Sequence, residues 1–281
     1  MPNINNFNDN LVEKLKKDGI VKLKKFLDIE EVNNFKKICL NYNIEKKNSI
    51  ETKFFKDKKI IFSRIFQLRL KRIYDDLKFF LFFNKKNFFT FATNYFDNKN
   101  IEIRYIDSYL SKKSEKNILP WHNDRAYSDI DGKKKITQIN HFNDQSLKFF
   151  LYLTDVNSMN GCMSYVPGSH KISFLIRKGL YTKKLSYSSY WSLSDFKKFI
   201  LKPENYNYIN KNLLEKNYIQ NFLNDTVNLD ESSCNYDYEA SAGDLIIFDE
   251  GGIHRGSSCT LTDRVVIRAA YGIKNLKKIN L

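Results

Sequence analysis

From about Ile101 onward the chain breaks into short apolar runs separated by turn residues, and this rhythm restricts the fold more than any other feature. IEIRYIDSYL alternates and KFFLYLTDV is compact and apolar; CMSYVPG, GDLIIFDE and RVVIRAAYG follow, punctuated by Asn160-Gly161, Pro167-Gly168 and Gly251-Gly252. Short runs with this punctuation pair as strands of two facing sheets, which predicts a sandwich or jelly roll.

The first hundred residues have a different texture. Leu11, Val12 and Leu15 fall on one helical face and Gly19 stands where that helix would stop. IVKLKKF alternates like a strand, and Asp28 is placed to cap a second helix through Val32, Phe35 and Cys39. Ile65, Leu68, Leu70, Ile73 and Leu77 suggest further helix. The expected organisation is one domain over 1–281. Residues 1–100 form mostly helical support, 101–275 a jelly-roll core, and about 171–240 an aromatic-rich helical insertion placed to cover a substrate site.

Composition narrows the function classes. Hydrophobic residues at 42% and aromatics at 15% exclude a disordered chain. The net charge of +15 raises nucleic acid as a partner, but the excess is Lys scattered in pairs such as Lys16-Lys17 and Lys85-Lys86. Such pairs read as solvated surface, so nucleic-acid binding is not expected. Cys39, Cys162, Cys234 and Cys259 form no CxxC pair and predict neither zinc site nor disulfide framework. MPNINNFNDN lacks the pattern of a secretory signal, and FFLFF at 79–83 is too short to span a bilayer. The expectation is a cytoplasmic protein with no membrane insertion.

The residues suited to chemistry are few. ILPWHNDRAYSD at 118–129 places His122 two positions before Asp124, in a chain with four histidines. On a strand the two side chains share a face and converge on one ion; on a polar loop they are an ordinary hydrogen-bonded pair, and the motif alone leaves both open. A third ligand would come from His141, His170 or His254. His254 ranks first, because GDLIIFDEGGIH runs a buried strand into a Gly-Gly bend that presents it. His170 in VPGSH is placed to bond its own turn, and His141 lies in polar INHFND. Two histidines and a carboxylate with open positions opposite form the facial triad of non-haem Fe(II) oxygenases. A bidentate cosubstrate at those positions needs a cationic anchor for its far end. Arg264, ten residues beyond His254, offers a planar fork suited to a carboxylate. In RVVIR, residues 264, 266 and 268 share a face, so Arg268 is expected in the same cavity, and two inward cations suit a dicarboxylate. In the other register the arginines face outward in ordinary salt bridges.

With these residues assembled, the chain resembles the phytanoyl-CoA dioxygenase family of Fe(II)- and 2-oxoglutarate-dependent oxygenases. The resemblance rests on KKDGIVKLKKFLDIEEV, WHND, LTDVNSMNGCMSYVPGSH, AGDLIIFDEGGIHRGSS and Arg264 in that order, and is loose over 45–100 and 171–240. It implies a mainly β double-stranded β-helix, a cupin-like jelly roll with N-terminal and flanking helices. It further implies iron held by His122, Asp124 and His254, 2-oxoglutarate clamped by Arg264, and Phe150 beside the cosubstrate. The cofactors implied are Fe(II), 2-oxoglutarate and O2, with ascorbate as auxiliary reductant and succinate and CO2 as by-products. Asn160, Gly161, Pro167, Gly168 and Ser169 read as turn residues. There are two departures. Gly256 stands where relatives often carry Ser or Thr two residues after the distal histidine, which makes Ser257 the expected hydroxyl donor; the arginine spacing is one residue shorter than in some relatives. Related halogenases lack the carboxylate, so Asp124 argues for hydroxylation.

The resemblance implies a small-molecule substrate but not which one, because relatives act on several classes. Arg104, Tyr109, Arg125 and Tyr127 near the triad, with Tyr105 and with Tyr181, Tyr187, Tyr190 and Trp191 of the insertion, are candidates to line the pocket. Arg125 suits an anion, whereas the aromatics serve equally well to pack the cover. The alternative from another class is a non-catalytic jelly roll in which the same cluster holds a metal or ligand. A nucleic-acid demethylase would require the Lys pairs to ring the mouth of the site.

Overall fold

The computed structural model describes residues 7–41, 45–46, 49–54, 70–116, 119–126, 138–139, 142–274 and 279–280. It opens with α1 (Asp9–Asp18), β1 (Ile20–Leu23) and α2 (Ile29–Asn41). The Asn8 side chain accepts from the Leu11 amide at 2.9 Å, and Gly19, at φ +79°, closes α1 by donating its N–H to the Leu15 carbonyl. A Cβ at residue 19 would overlap His170 and Tyr165, so close packing as well as the left-handed backbone requires glycine. Asp28 caps α2 through the Glu31 amide at 2.8 Å.

Next come β2 (Glu45–Lys46), β3 (Ser49–Phe54), α3 (Leu70–Phe83) and α4 (Lys86–Phe96). The strands β2 and β3 are a departure from helical support, since they extend the larger sheet through pairing with β4 (Ile101–Ser111). Ile65 and Leu68 lie outside the described residues. The remaining strands are β5 (Leu119–His122), β6 (Gln138–Ile139), β7 (Ser146–Tyr152), β8 (Met163–Tyr165), β9 (Asp237–Tyr238), β10 (Leu245–Asp249), β11 (His254–Gly256), β12 (Arg264–Ile273) and β13 (Ile279–Asn280). Between β8 and β9 lie α5 (Ser169–Tyr181), α6 (Leu193–Ile200), α7 (Pro203–Asn212) and α8 (Tyr218–Asp225).

Among the described residues the larger sheet runs β1-β10-β7-β12-β4-β3-β2 and the smaller β5-β11-β8-β9, all antiparallel, with β13-β6 a separate pair. This is the jelly roll. Alternation sorts the larger sheet into two environments. Leu147, Phe149, Leu151, Val265, Ile267, Ala269 and Tyr271 join one core with Phe79, Phe83, Phe88 and Phe91 of the N-terminal helices. The opposite face, with Tyr152, Ile246, Phe248 and Val266, packs with Met163 and Tyr165 of the smaller sheet. The insertion has its own core of Ile176, Leu193, Phe196, Phe199, Ile209 and Phe222, which reaches Trp121 and Ile253, each next to a histidine of the smaller sheet. Among the described residues no helix is long and apolar enough to cross a membrane, and the four cysteines are free.

Candidate metal and cosubstrate site

His122 ends β5 and His254 begins β11, and the two are directly paired across the smaller sheet. Asp124 lies in the turn after β5, so convergence comes from that turn rather than from strand alternation, as the sequence spacing alone suggested. The intervening Asn123 fixes the turn. Fully buried, it donates from Nδ2 to the Ser173 hydroxyl at 2.6 Å and the Gly251 carbonyl at 2.8 Å, accepts the Arg125 amide at 2.7 Å, and its own N–H reaches the Trp191 carbonyl at 2.8 Å.

His122, Asp124 and His254 each offer one ligand atom, all within 4.8 Å of one another. Both rings have a defined tautomer. Nδ1 of His122 lies 2.7 Å from the Pro120 carbonyl and Nδ1 of His254 lies 2.9 Å from that of Gly252. A carbonyl only accepts, so Nδ1 carries the hydrogen and Nε2 keeps its lone pair. The two Nε2 atoms stand 3.2 and 3.3 Å from the Asp124 oxygens. Two lone pairs against a carboxylate repel unless a cation lies between them, and ligands on one metal at about 2.1 Å are separated by roughly 3 Å at right angles. Burial, with His122 alongside, pushes the His254 pKa down, which keeps the imidazole neutral. Burial alone would raise the Asp124 pKa, but Lys148 and His254 hold it well below the ordinary carboxylate value. The donor set fits a divalent cation. Trp191 tilts over His122 with ring centroids 5.2 Å apart, and Phe248 packs on His254 at 5.3 Å.

Arg264 projects from the inner face of β12 and is 5% exposed. It donates from Nη1 to the Gly161 carbonyl at 2.9 Å and from Nη2 to the Ser111 hydroxyl at 3.0 Å. Gly161, at φ +71°, is required there, because a Cβ would meet Cys259 Sγ at 2.7 Å and Arg264 Cδ at 3.3 Å. Arg264 Nε and the Tyr152 hydroxyl are both buried and, among the described residues, have no hydrogen-bond partner. Burial raises the Tyr152 pKa against the opposing charge of Arg264, so its O–H remains a donor. Two orphaned donors in one neighbourhood fit an acceptor-only group such as a carboxylate. Phe150 follows on the same face of β7, its ring 4.9 Å from that of Phe248. Ser257 is buried against Cys162, Oγ to Sγ 3.9 Å, and the hydroxyl that touches Arg264 is that of Ser111.

Arg268 also points inward, but its fork is held by Asp107 at 2.7 Å on both arms and lies over the Tyr109 ring at 4.7 Å. Arg104 bonds Asp144 at 2.8 Å and Ser146 at 3.0 Å; Arg125 pairs with Glu250 and reaches Ser146 at 3.1 Å. Tyr190 donates to the Arg125 carbonyl at 3.2 Å, and Tyr181 packs on Phe142 with ring centroids 5.5 Å apart. Tyr127 and His141 lie outside the described residues. His170 is not at the triad: its Nε2 donates to the Lys16 carbonyl at 3.1 Å, and it lines a separate cavity of about 530 Å³ with Tyr95, Phe174 and Tyr218.

Sequence reasoning missed Lys148, Glu250, Tyr152, Ser111 and Asn123. Lys148 carried a signal: in the apolar strand KFFLYL it shares the inner face with Phe150, and it ion-pairs with Asp124 and lies 3.5 Å from Glu250. Burial would lower its pKa, but Asp124 and Glu250 hold it raised, as an ammonium.

The phytanoyl-CoA dioxygenase (PhyH) family profile matches residues 15–260. A search of curated protein sequences finds no match. Solved structures share the fold, among them the following three. The epimerase SnoN, in complex with Fe3+, alpha ketoglutarate and nogalamycin RO, is 14% identical at TM-score 0.53, covering 94% of this chain and 83% of its own. HygX from Streptomyces hygroscopicus with iron bound is 12% identical at 0.54, covering 96% and 88%. EvdO2 from Micromonospora carbonacea var. aurantiaca complexed with 2-oxoglutarate is 13% identical at 0.53, covering 100% and 96%. With the profile running from within α1 through the WHND turn to β11, which His254 begins, the chain belongs to the phytanoyl-CoA dioxygenase family.

Proposed function

We propose that the protein is an Fe(II)- and 2-oxoglutarate-dependent oxygenase that hydroxylates a small molecule. The observation that carries this reading is the pairing of a tautomer-fixed His122–Asp124–His254 set with buried, unpartnered donors at Arg264 and Tyr152. His122, Asp124 and His254 would hold iron, and Arg264, Tyr152 and Ser111 would take the far carboxylate of 2-oxoglutarate. When bound, Fe(II) with 2-oxoglutarate and O2 supplies the oxidising power to break a substrate C–H bond. The chain contributes placement and dryness. Phe150, Phe248 and Trp191 exclude water, and the two carbonyl contacts hold each imidazole to its metal-facing tautomer.

Hydroxylation is favoured over halide transfer because Asp124 retains the carboxylate ligand. The small-molecule class is supported by the likeness to SnoN and HygX, which have been solved with nogalamycin RO and hygromycin B. The test is anaerobic titration with Fe(II) and 2-oxoglutarate, read by the visible metal-to-ligand charge-transfer band. Wild type is expected to develop the band, Asp124→Ala and His254→Ala to lose it, and Arg264→Ala to need at least tenfold more cosubstrate. Folded wild type without a band would overturn the proposal in favour of a non-catalytic ligand-binding jelly roll.

A further inference from the structure

Resting on the oxygenase reading, we infer that Lys148 is the substrate-recognition residue of this site and that the substrate carries an oxyanion, a carboxylate or phosphate, on the part nearest the iron. The inner face of the larger sheet is ordered in rows by its register. Ser111 pairs with Arg264; Tyr152 faces Val266; Phe150 faces Arg268, which faces Asp107; and Lys148 faces Ala270, which faces Tyr105. The proposed cosubstrate clamp occupies the first two rows. Lys148 lies two residues beyond Phe150, on the side away from the clamp and next to Asp124 and Arg125, whose side chains are each 26% exposed. This is the open end of the site.

Among the described residues, each cation at this end has a carboxylate partner before any metal is added. Arg268 pairs with Asp107 and Arg104 with Asp144. Arg125 pairs with Glu250, and Lys148 with Asp124. Lys148 differs from the three arginines because its partner is a proposed metal ligand. A divalent cation bound to Asp124 takes up that carboxylate's charge. The dianionic cosubstrate then balances the cation with one carboxylate at the metal and Arg264 with the other. The ammonium, whose side chain is only 13% exposed, is left with the more distant Glu250, whose Oε1 is already engaged by Arg125 and by the Ser146 amide. A largely covered ammonium deprived of its nearest partner is costly. A substrate oxyanion restores the balance, and in the absence of metal no such vacancy exists.

The experiment loads the full-length protein anaerobically with Fe(II) and 2-oxoglutarate, then titrates butanoate and monobutyl phosphate separately, at constant ionic strength, while following the charge-transfer band. Wild type is expected to give a saturable perturbation with at least one probe, and the better probe identifies the headgroup as carboxylate or phosphate. Lys148→Met should weaken that probe at least tenfold while keeping the band, and Lys148→Arg should restore binding to within about threefold of wild type. Direct ligation of the iron by either probe does not depend on Lys148, so equal affinity in Lys148→Met overturns the inference, as does wild type that responds to neither probe. Loss of the band in wild type itself would instead overturn the oxygenase reading. If Lys148→Met does not fold, Lys148→Gln and Lys148→Arg make the same comparison, and equal affinity in those two overturns it.

Discussion

At the scale of single residues, the unpartnered hydroxyl of Tyr152 makes a prediction with two opposite signs. Tyr152 is fully buried, its O–H has no acceptor, and a buried unsatisfied polar group costs about 1–3 kcal/mol. Tyr152→Phe deletes that penalty and should raise the unfolding free energy of the ligand-free protein by about 1 kcal/mol in urea. The same change removes a donor from the proposed cosubstrate clamp and should weaken 2-oxoglutarate about tenfold in the iron-loaded protein, the loss of one hydrogen bond to a charged group. Unchanged cosubstrate affinity would remove Tyr152 from the clamp. Legibility at this scale followed chemical scarcity. With four histidines in the chain, His122 and His254 could be singled out, and the structure brings both to Asp124. Tyr152 and Ser111 were hidden among 17 tyrosines and many serines, because only long-range register shows which hydroxyl faces Arg264.

Among the elements, those with a local pattern and local stop signals were readable, and those made by distant pairing were not. The helix α1 has its cap, its apolar face and its terminal glycine within a dozen residues. The strand β3, SIETKF, takes its conformation from chain more than fifty residues away, by lying against Ile106–Ser111 of β4, so its own sequence does not announce it. The turn after β5 is of the second kind. Its geometry depends on Asn123 reaching Ser173 in α5 and Gly251 between β10 and β11, and on the Trp191 carbonyl in the insertion. Asn123→Ala leaves the three ligand side chains in the sequence but removes both Nδ2 donations and the acceptor for the Arg125 amide. Loss of such support around metal ligands typically costs 10–100-fold in metal affinity. An Fe(II) or Mn(II) titration of Asn123→Ala should therefore show weakening of about that size with cosubstrate contacts intact. Wild-type metal affinity would mean that the turn is held by β5 and the insertion without Asn123.

For the whole molecule, the two sheets and the insertion are joined across the site rather than only around it. His122 belongs to the smaller sheet, Lys148 and Arg264 to the larger, and Trp191 to the insertion that packs on both Trp121 and Ile253. A metal held by His122, Asp124 and His254, with a cosubstrate held by Arg264, would tie these layers together in the folded state only. Ligand that binds the native state alone stabilises it by RT ln(1 + [L]/Kd), about 2.7 kcal/mol at one hundred times Kd. For a chain of 281 residues, each 1 kcal/mol is worth about 2–4 °C or somewhat less in the unfolding midpoint. Anaerobic Mn(II) should therefore raise the midpoint by several degrees, and Mn(II) with 2-oxoglutarate further still. 2-Oxoglutarate alone should give little, because without metal only the Arg264 end holds it and the Lys148–Asp124 pair stays closed. In Asp124→Ala the metal increment should collapse and the second increment with it. Equal and independent shifts from metal and cosubstrate would show that they occupy separate places, and the single continuous site from Asp124 to Arg264 would have to be abandoned.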